Sequence, residues 1–281
     1  MIPRNFIQEW RQHAPWSQDA QLEQDLIICR ALVEIFSHPE LAANLAFRGG
    51  TALFKLYLAP MRYSEDIDLV QITAGPIGPI MSTLQEKLNP WLGNPKRKQS
   101  EGRVTLTYRM ESEDGLPLKL KLEINSREHF TLLGYSKHSF DVDSRWFSGS
   151  ASILTYQLDE LLGTKVRALY QRKKGRDLFD LWAAFNTTKA QPQKVINCFL
   201  HYMENEGHKV SRAEFEKNLS EKLDDHNFIR DIEPLIIADT GYDFSKAAAL
   251  VMNKLVPLIP GDPWQRKSHN AKKYFAHYND L

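Results

Sequence analysis

Two aspartates at alternate positions, Asp66 and Asp68, are the side chains of this sequence best placed to do chemistry. In a β-strand, residues i and i+2 point to the same face, so both carboxylates project together while Ile67 and Leu69 point into the core. Paired carboxylates repel each other unless a positive charge lies between them. A divalent cation such as Mg²⁺ supplies that charge and binds one or two carboxylates together with substrate phosphates. The spacing therefore predicts a metal site that handles phosphates.

A glycine turn, Gly49-Gly50-Thr51, precedes these aspartates and is followed by a short helical run that Pro60 ends. Two glycines let the backbone turn tightly and approach a ligand closely. The first N–H groups of the following helix, together with its dipole, attract a phosphate. An ordinary loop with Thr51 as the helix N-cap is the alternative. The combination with Asp66 and Asp68 predicts a phosphate cradle beside a metal site.

A third carboxylate, Glu123, lies on the polar face of a predicted strand together with Lys119 and Lys121. Two-metal phosphoryl and nucleotidyl transfer uses carboxylates to hold metals on the attacking and leaving oxygens. Glu123 is a candidate to ligate the second metal or to take the proton from an attacking hydroxyl. The alternative is an ion pair with a lysine.

The spacing of apolar residues along the chain predicts the helices and strands that position these residues. Alternation predicts strands over 67–72, 103–109, 116–125 and 153–156, with turns at 113–115 and 148–149. Apolar residues at helical spacing predict helices over 18–46, 52–58 and 77–92, with a glycine turn at 47–51. From residue 157 onward the predicted elements are all helices, over 157–172, 176–187, 192–206, 211–223, 226–238 and 244–256. The sequence therefore predicts an α+β fold, with a domain over 1–156, a helical domain over 157–281 and a loosely ordered tail from about residue 258.

Composition is that of an ordinary globular protein, with 281 residues, 42% hydrophobic residues and a net charge of +1. Such a balance creates no global field toward nucleic acid, so a polyanionic partner must be held by local patches. Three basic runs stand out, although each is also compatible with a solvated surface run. They are Lys96-Arg97-Lys98, then Arg172-Lys173-Lys174 with Arg176, and a tail with Arg266, Lys267, Lys272 and Lys273.

The apolar runs and the cysteine count indicate the cellular location of the protein. The longest clean apolar run, 247–252, is far shorter than the roughly 20 residues a membrane span needs. Charges interrupt every short apolar stretch near the N-terminus, so no secretory signal is expected there. Cys29 and Cys198 are too few and too far apart for a disulfide framework or a cysteine zinc site. We expect a cytoplasmic protein with no membrane contact.

Several motifs together resemble a known enzyme signature. Arg48-Gly-Gly-Thr-Ala-Leu53, Ser64-Glu-Asp-Ile-Asp-Leu69 and Leu122-Glu-Ile124 resemble the signature of polymerase-β-type nucleotidyltransferases. More narrowly, Lys165-Val-Arg-Ala-Leu169 followed by Arg176-Asp-Leu-Phe-Asp-Leu181 resembles the AbiEii family, the nucleotidyltransferase toxins of type IV toxin–antitoxin (abortive infection) systems. The resemblance covers residues 40–185, about half of the chain.

This resemblance implies a polymerase-β-like core with a mixed sheet, followed by a mostly helical half that closes a cleft. It also implies a transferase that uses an NTP and Mg²⁺ or Mn²⁺, is toxic when free, and is neutralised by a cognate antitoxin protein. Some relatives are implied to add nucleotides to the 3′ end of tRNA and so block aminoacylation.

Site residues carry over from the matching motifs. The resemblance assigns Gly49, Gly50 and Thr51 to nucleotide binding. It assigns Asp66 and Asp68 to metal binding and catalysis, with Glu123 as the third carboxylate that binds metal. It assigns Lys165 and Arg176 to binding of the triphosphate, and Lys165, Asp177 and Asp180 to catalysis. Many nucleotidyltransferases have Gly-Ser where Gly50-Thr51 stands, and threonine offers the same hydroxyl. Two alternatives stay open, because Asp177 suits a helix N-terminus and Asp180 could pair with Lys173 or Arg176.

Three functions are compatible with these residues. The first is a metal-dependent nucleotidyltransferase toxin that modifies an acceptor such as the tRNA 3′ end. The second is an enzyme of the same fold that modifies a small molecule or a protein hydroxyl, and the third is a non-catalytic protein that binds a partner. A small molecule needs only a pocket, whereas tRNA needs an extended basic surface. The complete set of glycine, carboxylate and lysine motifs favours an enzyme.

Overall fold

The structure is a computed structural model that describes residues 2–265 of the 281-residue chain. The chain forms two compact units, of which the first ends at Gln157 and the second begins at Leu158. The first unit contains all the strands described and the second is helical, so the predicted α+β class is confirmed. None of the described helices is long and apolar enough to span a membrane.

The first unit is built on one mixed sheet of seven strands. Its strands are β1 Leu45–Arg48, β2 Asp66–Gln71, β3 Lys96–Ser100, β4 Arg103–Glu111, β5 Pro117–Asn125, β6 Tyr135–Asp143 and β7 Ser148–Tyr156. Its helices are α1 Arg4–Trp10, α2 Asp19–Ser37, α3 Pro39–Asn44, α4 Gly49–Leu56 and α5 Gly78–Leu92. The strand order is β3-β4-β5-β2-β1-β7-β6. The pairs β2–β5 and β1–β7 are parallel, and the remaining pairs are antiparallel.

Strand β2 lies at the centre of this sheet, between β1 and β5. Ile67 and Leu69 are buried, because alternate residues of the strand face the apolar core. The pairing sets Asp68 opposite Arg48 of β1 and Glu123 of β5. The sheet therefore gathers polar residues from three separate stretches of sequence into one row.

A buried carboxylate, Asp25 of α2, ties the N-terminal segment to α4. The indole Nε1 atoms of Trp10 and Trp16 donate to it over 2.9 and 3.1 Å. Lys55 of α4 donates to both of its oxygens, over 2.7 and 2.8 Å. Burial disfavours the Lys55 ammonium, but the Asp25 carboxylate outweighs it and holds the pKa of Lys55 above its usual value. The helix that follows the two glycines is thus anchored to α2.

The second unit is a set of packed helices. They are α6 Leu158–Gln171, α7 Gly175–Thr187, α8 Pro192–Asn205, α9 Arg212–Leu223, α10 His226–Arg230, α11 Phe244–Lys254 and a short 3₁₀ helix Val256–Leu258. Helix α6 packs against α7, α8 and α9. Aromatic contacts join these helices, with Tyr170 stacked on Phe215 at a centroid distance of 5.6 Å. A capping box between Ser211 and Glu214 starts α9.

The helix predicted over 18–46 is wrong beyond Ser37. His38 has extended backbone angles, as expected for a residue before a proline, so α2 ends and α3 starts anew at Pro39. The chain then enters β1, which is almost fully buried and so lacks the alternation that marks a half-exposed strand. The predicted turn at 47–51 is instead the end of β1 and the start of α4.

Strands β3 and β6 are not predicted by the pattern, because their sequences carry little apolar signal. All five residues of β3 are exposed, and Val142 is the buried residue of β6. Strand β7 begins at Ser148, where a turn was predicted, and so runs five residues further toward the N-terminus than the predicted strand over 153–156. The predicted helix over 226–238 stops at Arg230.

The predicted loose tail begins as ordered structure. Ile259 is buried, and the Arg212 N–H donates to the Pro260 carbonyl over 2.8 Å. The Trp264 N–H donates to Glu216 over 2.7 Å. The rest of that tail, with its basic run from Arg266 to Lys273, lies outside the described residues.

Candidate active site

The two aspartates of β2 project side by side. Asp66 and Asp68 are partly exposed, whereas Ile67 between them is fully buried on the other face. Burial, and then the negative charge of Asp68, raise the pKa of Asp66 to about 6, while Lys121 opposes the shift. Burial is the larger of the two causes, and the charge of Lys121 does not cancel them.

The two glycines allow a close approach that other residues would prevent. Gly49 has a φ of +85°, and a Cβ atom there would lie 2.1 Å from Oδ2 of Asp68. A Cβ atom on Gly50 would lie 2.3 Å from Nη2 of Arg62. The start of α4 is consequently pressed against the Asp68 carboxylate and the Arg62 guanidinium, which only glycine permits.

Thr51 links α4 to the start of β2. Its hydroxyl donates to the Asp66 carbonyl over 2.5 Å and lies 2.9 Å from the Ser64 hydroxyl, which therefore donates to it. Thr51 is thus not the N-cap, since Arg48 holds that position and makes no side-chain capping bond. Helix α4 begins beside the Asp68 carboxylate, with the N–H groups of Gly49, Gly50 and Thr51 in its first turn.

Two cations flank the carboxylates within the sheet. Lys121 of β5 is in register with Asp66 and hydrogen-bonds to Glu123. Burial disfavours its charge, but Glu123 and then Asp66 raise the pKa of Lys121 above its usual value. Arg48 is in register with Asp68 and pairs with Glu128, so its pKa is also raised despite burial. Both side chains stay charged at neutral pH.

Glu123 lies in register beside Asp68, but its carboxylate is engaged by cations. It pairs with Lys121, and Nη1 of Arg103 lies 3.7 Å from it. Within residues 2–265, no group of three or more histidine, cysteine, aspartate or glutamate side chains is arranged to hold a metal. The lysine ion pair is the arrangement observed for Glu123, and its role as a third metal ligand stays a prediction.

The predicted residues of the second unit form a buried charge chain. Nζ of Lys165 lies 2.7 Å from Asp180 and 3.9 Å from Asp177, and all three side chains are buried. Arg172 binds Asp177 through two hydrogen bonds of 2.7 Å each. Asp180 therefore binds Lys165, and neither of the two partners considered from the sequence, Lys173 and Arg176, forms a described ion pair with it.

The basic run at 172–176 is neutralised by acids of its own unit. Each of its four cations has a carboxylate partner: Asp177 for Arg172, Asp225 for Lys173, and Asp231 for both Lys174 and Arg176. Nε of Arg176 lies 3.6 Å from Asp231, to which the Arg176 backbone N–H also donates. This run therefore offers a polyanion less charge than its sequence indicates.

Some residues of the site were not assigned a role from the sequence. Arg62 and Ser64 occur in the quoted motif, but their contacts with Gly50 and Thr51 depend on how α4 meets β2. Lys121 was noted only as a neighbour of Glu123. Its place beside Asp66 depends on the parallel pairing of β2 with β5, for which the sequence carries no local signal.

The fold belongs to a known class. The chain is similar to a protein from H. pylori regarded as a nucleotidyltransferase, with a TM-score of 0.53 and 17% identity over 83% of this chain and 91% of that one. It is also similar to JHP933 from Helicobacter pylori, with a TM-score of 0.51 and 16% identity over 82% and 88% of the two chains. A third similar structure is MenT4, a nucleotidyltransferase toxin from Mycobacterium tuberculosis, with a TM-score of 0.51 and 13% identity over 89% and 99%. The fold is that of a nucleotidyltransferase.

The family follows from the sequence as well. Residues 30–249 match the family model described as nucleotidyl transferase AbiEii toxin of type IV toxin–antitoxin systems. The chain therefore belongs to the AbiEii family, and it is a nucleotidyltransferase enzyme. No curated protein matches the chain significantly. The resemblance identified from the motifs is confirmed, and the family implies an NTP substrate and an antitoxin partner.

Replacing Gly49 by alanine tests the close approach at the start of α4. The added Cβ meets the Asp68 carboxylate and takes a φ that alanine disfavours, so the carboxylate must move. We expect nucleotidyl transfer to fall by about 100-fold or more, as when a catalytic electrostatic group is misplaced. Label transfer from NTP measures this.

Gly93→Ala is the matched control. Gly93 also has a positive φ, of +76°, but no heavy atom lies within 4 Å of its Cβ position. It should cost about 1 kcal/mol of stability through backbone strain and leave transfer unchanged. Equal activity of the two variants would contradict the role assigned to Gly49.

The raised pKa of Asp66 predicts a pH-dependent stability. The folded protein holds the Asp66 proton up to about pH 6, whereas an unfolded aspartate releases it near the ordinary pKa of 3.8. Wild-type stability from this group is thus present at low pH and is lost as pH rises through about 6. Asp66→Asn, which cannot ionise, should be more stable at pH 7 by up to about 3 kcal/mol in metal-free buffer.

Urea unfolding in metal-free buffer at several pH values measures this difference. The gap between Asp66→Asn and wild type should narrow below pH 6 and close near pH 4. A stability difference that is constant with pH would show that ionisation of Asp66 does not destabilise the folded protein.

Proposed function

We propose that this enzyme transfers a nucleotide from an NTP to the 3′ end of tRNA, with the help of a divalent metal, and that this reaction makes it toxic. The observation that carries the proposal is the placement of Asp66 and Asp68 against the glycine start of α4. Carboxylates for a metal and backbone N–H groups for a phosphate meet there. A protein that only binds a partner has no use for this pairing.

Asp66 and Asp68 fit a divalent cation. They supply carboxylate oxygens, the ligands that Mg²⁺ and Mn²⁺ prefer, and the charge of Asp68 adds to burial in raising the pKa of Asp66. Bound there, the metal would offset the charge of the triphosphate. Glu123 is the candidate for a second metal only if its pairing with Lys121 is exchanged.

The chain's own groups orient the nucleotide in this proposal. The N–H groups of Gly49, Gly50 and Thr51 point out of the N-terminus of α4 and can donate to phosphate oxygens. Thr51 holds this helix to β2 through the Asp66 carbonyl, so phosphate and metal ligands keep their spacing. Preorganised donors of this kind stabilise charge that develops in the transition state.

We assign Lys165 to the negative charge of the triphosphate, with Arg176 as a second cation. Asp180 and Asp177 are the carboxylates that orient the Lys165 ammonium. A compact ammonium with three donors can retain Asp180 while it binds a phosphate oxygen. The family places the lysine and the Asp-x-x-Asp motif together in its signature, which supports this assignment.

Incubation of the protein with each radiolabelled NTP, Mg²⁺ and total tRNA tests the reaction. We expect label at the tRNA 3′ end with wild type and none with Asp68→Ala, which removes a metal ligand that the core does not need. Circular dichroism and thermal unfolding should show that Asp68→Ala folds as wild type does. Labelling of a small molecule or protein instead of tRNA would contradict the proposed acceptor, and full activity of Asp68→Ala would contradict the site.

Lys165→Met tests the role assigned to the Lys165 ammonium. Methionine keeps the apolar stem but removes the charge, and we expect turnover to fall about 10²–10³-fold with weaker NTP binding. Arg172→Met is the matched control, because Arg172 also binds Asp177 but is half exposed. It should keep turnover within a few-fold of wild type.

NTP affinity and the turnover of the folded fraction separate the alternatives. If both variants lose only stability, and turnover per folded molecule is unchanged, Lys165 is a structural ion-pair partner and has no part in transfer.

A further inference from the structure

The polar face of the β3–β4–β5 extension continues directly from the two aspartates. Strand register places Asp66 in one row with Lys121 of β5, Thr107 of β4 and Lys96 of β3. The adjacent row runs from Asp68 through Glu123 and Thr105 to Lys98. Residues in register share a face of the sheet. The cations of the outer strands therefore face the same side as the candidate metal ligands.

This face is strongly basic. Alternate positions of β3, β4 and β5 carry six cations and two carboxylates, a net charge of +4, against +1 for the whole chain. The cations are Lys96, Lys98, Arg103, Arg109, Lys119 and Lys121, and the carboxylates are Glu111 and Glu123. We call this surface the basic track.

Much of this charge has no acidic partner in the unit. Lys96, Lys98, Arg109 and Lys119 are exposed and form no ion pair within residues 2–265. Lys121 and Arg103 share Glu123. The opposite face, with Leu106 and Leu122, is buried, so the basic track is the solvent side of these strands.

We propose that the basic track binds the phosphodiester backbone of the RNA acceptor and leads its 3′ end to Asp66 and Asp68. This inference rests on the proposed function and names the surface that delivers the substrate. Three strand spacings separate β2 from β3, so the track extends about 14 Å from the aspartates. An acceptor that uses all of it must carry several anionic groups in succession, as a nucleic acid does and a small molecule does not.

The side chains of the track suit phosphates. Lysine, arginine and threonine are common phosphate contacts, and Thr107 lies between Lys96 and Lys121 while Thr105 lies beside Lys98. Such contacts position a backbone without reading its sequence. An acidic protein segment would meet the same charge, and binding of a polyglutamate peptide distinguishes it from RNA.

The edge strand provides an internal control. Lys98 is in register with Thr105, on the basic track, whereas its neighbour Arg97 is in register with Leu106 on the opposite face. Arg97 also donates to Gln99, two residues along the same side. Lys98→Gln and Arg97→Gln change the net charge equally at adjacent exposed positions and differ in the face affected.

Fluorescence anisotropy with a labelled tRNA acceptor-stem hairpin that has a single-stranded 3′ end tests the proposal. Affinity is measured between about 50 and 200 mM salt for wild type and both variants. Lys98→Gln should weaken binding about 3- to 5-fold and reduce the slope of log K against log salt by about 0.7 to 0.9, the loss of one phosphate contact. Lys96→Gln with Lys98→Gln should weaken it roughly tenfold or more. Arg97→Gln should match wild type, and NTP affinity should stay unchanged throughout.

The outcomes separate the track from the proposed function. Equal effects of Lys98→Gln and Arg97→Gln would show a dependence on net charge alone and overturn the track. The track is also wrong if neither variant changes RNA binding while wild type still labels tRNA, in which case the proposed function stands. Loss of binding to a polyglutamate peptide but not to RNA would assign the surface to an acidic protein. A wild-type protein that neither binds nor labels tRNA would refute the proposed function itself.

Discussion

Two negative charges held on one face of β2 are the constraint around which the first unit is organised. Alternation fixes them there, because turning either aspartate away would bring Ile67 or Leu69 out of the core. Burial, and then the repulsion between the two carboxylates, raise the pKa of Asp66. Lys121, in register with Asp66, opposes this shift without removing it. Burial and like charge thus both disfavour the ionised pair, and a cation placed between the two carboxylates would offset part of that cost.

In the second unit, by contrast, the buried charges are paired with opposite charges. Its Lys165, Asp177 and Asp180 are buried but matched, with Arg172 completing the chain from the exposed side. In such a chain the mutual attraction offsets the cost of desolvation, whereas removal of one member leaves an unpaired buried charge. Loss of toxicity in a simple alanine variant of these residues would therefore not by itself identify a catalytic role.

Sequence reasoning found the aspartates and the glycine start of α4 because their signals are local, as strand alternation and a helix start are. It also identified the family, since the Lys165 and Asp177 motifs are short and characteristic. The sequence does not predict β3, whose residues are all exposed and polar, and its helical pattern extends into β1, whose buried residues do not alternate. The position of Lys121 beside Asp66 depends on pairing between segments more than fifty residues apart, which no window of sequence contains. For the same reason the run Lys96-Arg97-Lys98 reads as one patch, although the sheet divides it between two faces.

The ion pair between Asp25 and Lys55 limits which N-terminal segments can be joined to the rest of the chain. The family match begins at residue 30, yet Lys55, within that match, is held by Asp25 before it, and Asp25 is held in turn by Trp10 and Trp16. A relative's leading segment grafted onto this core would have to bring an anion to the same place, or leave the lysine of α4 buried without one. Helix α2 also crosses this junction, so replacing the first 29 residues alone would interrupt a helix as well as this ion pair.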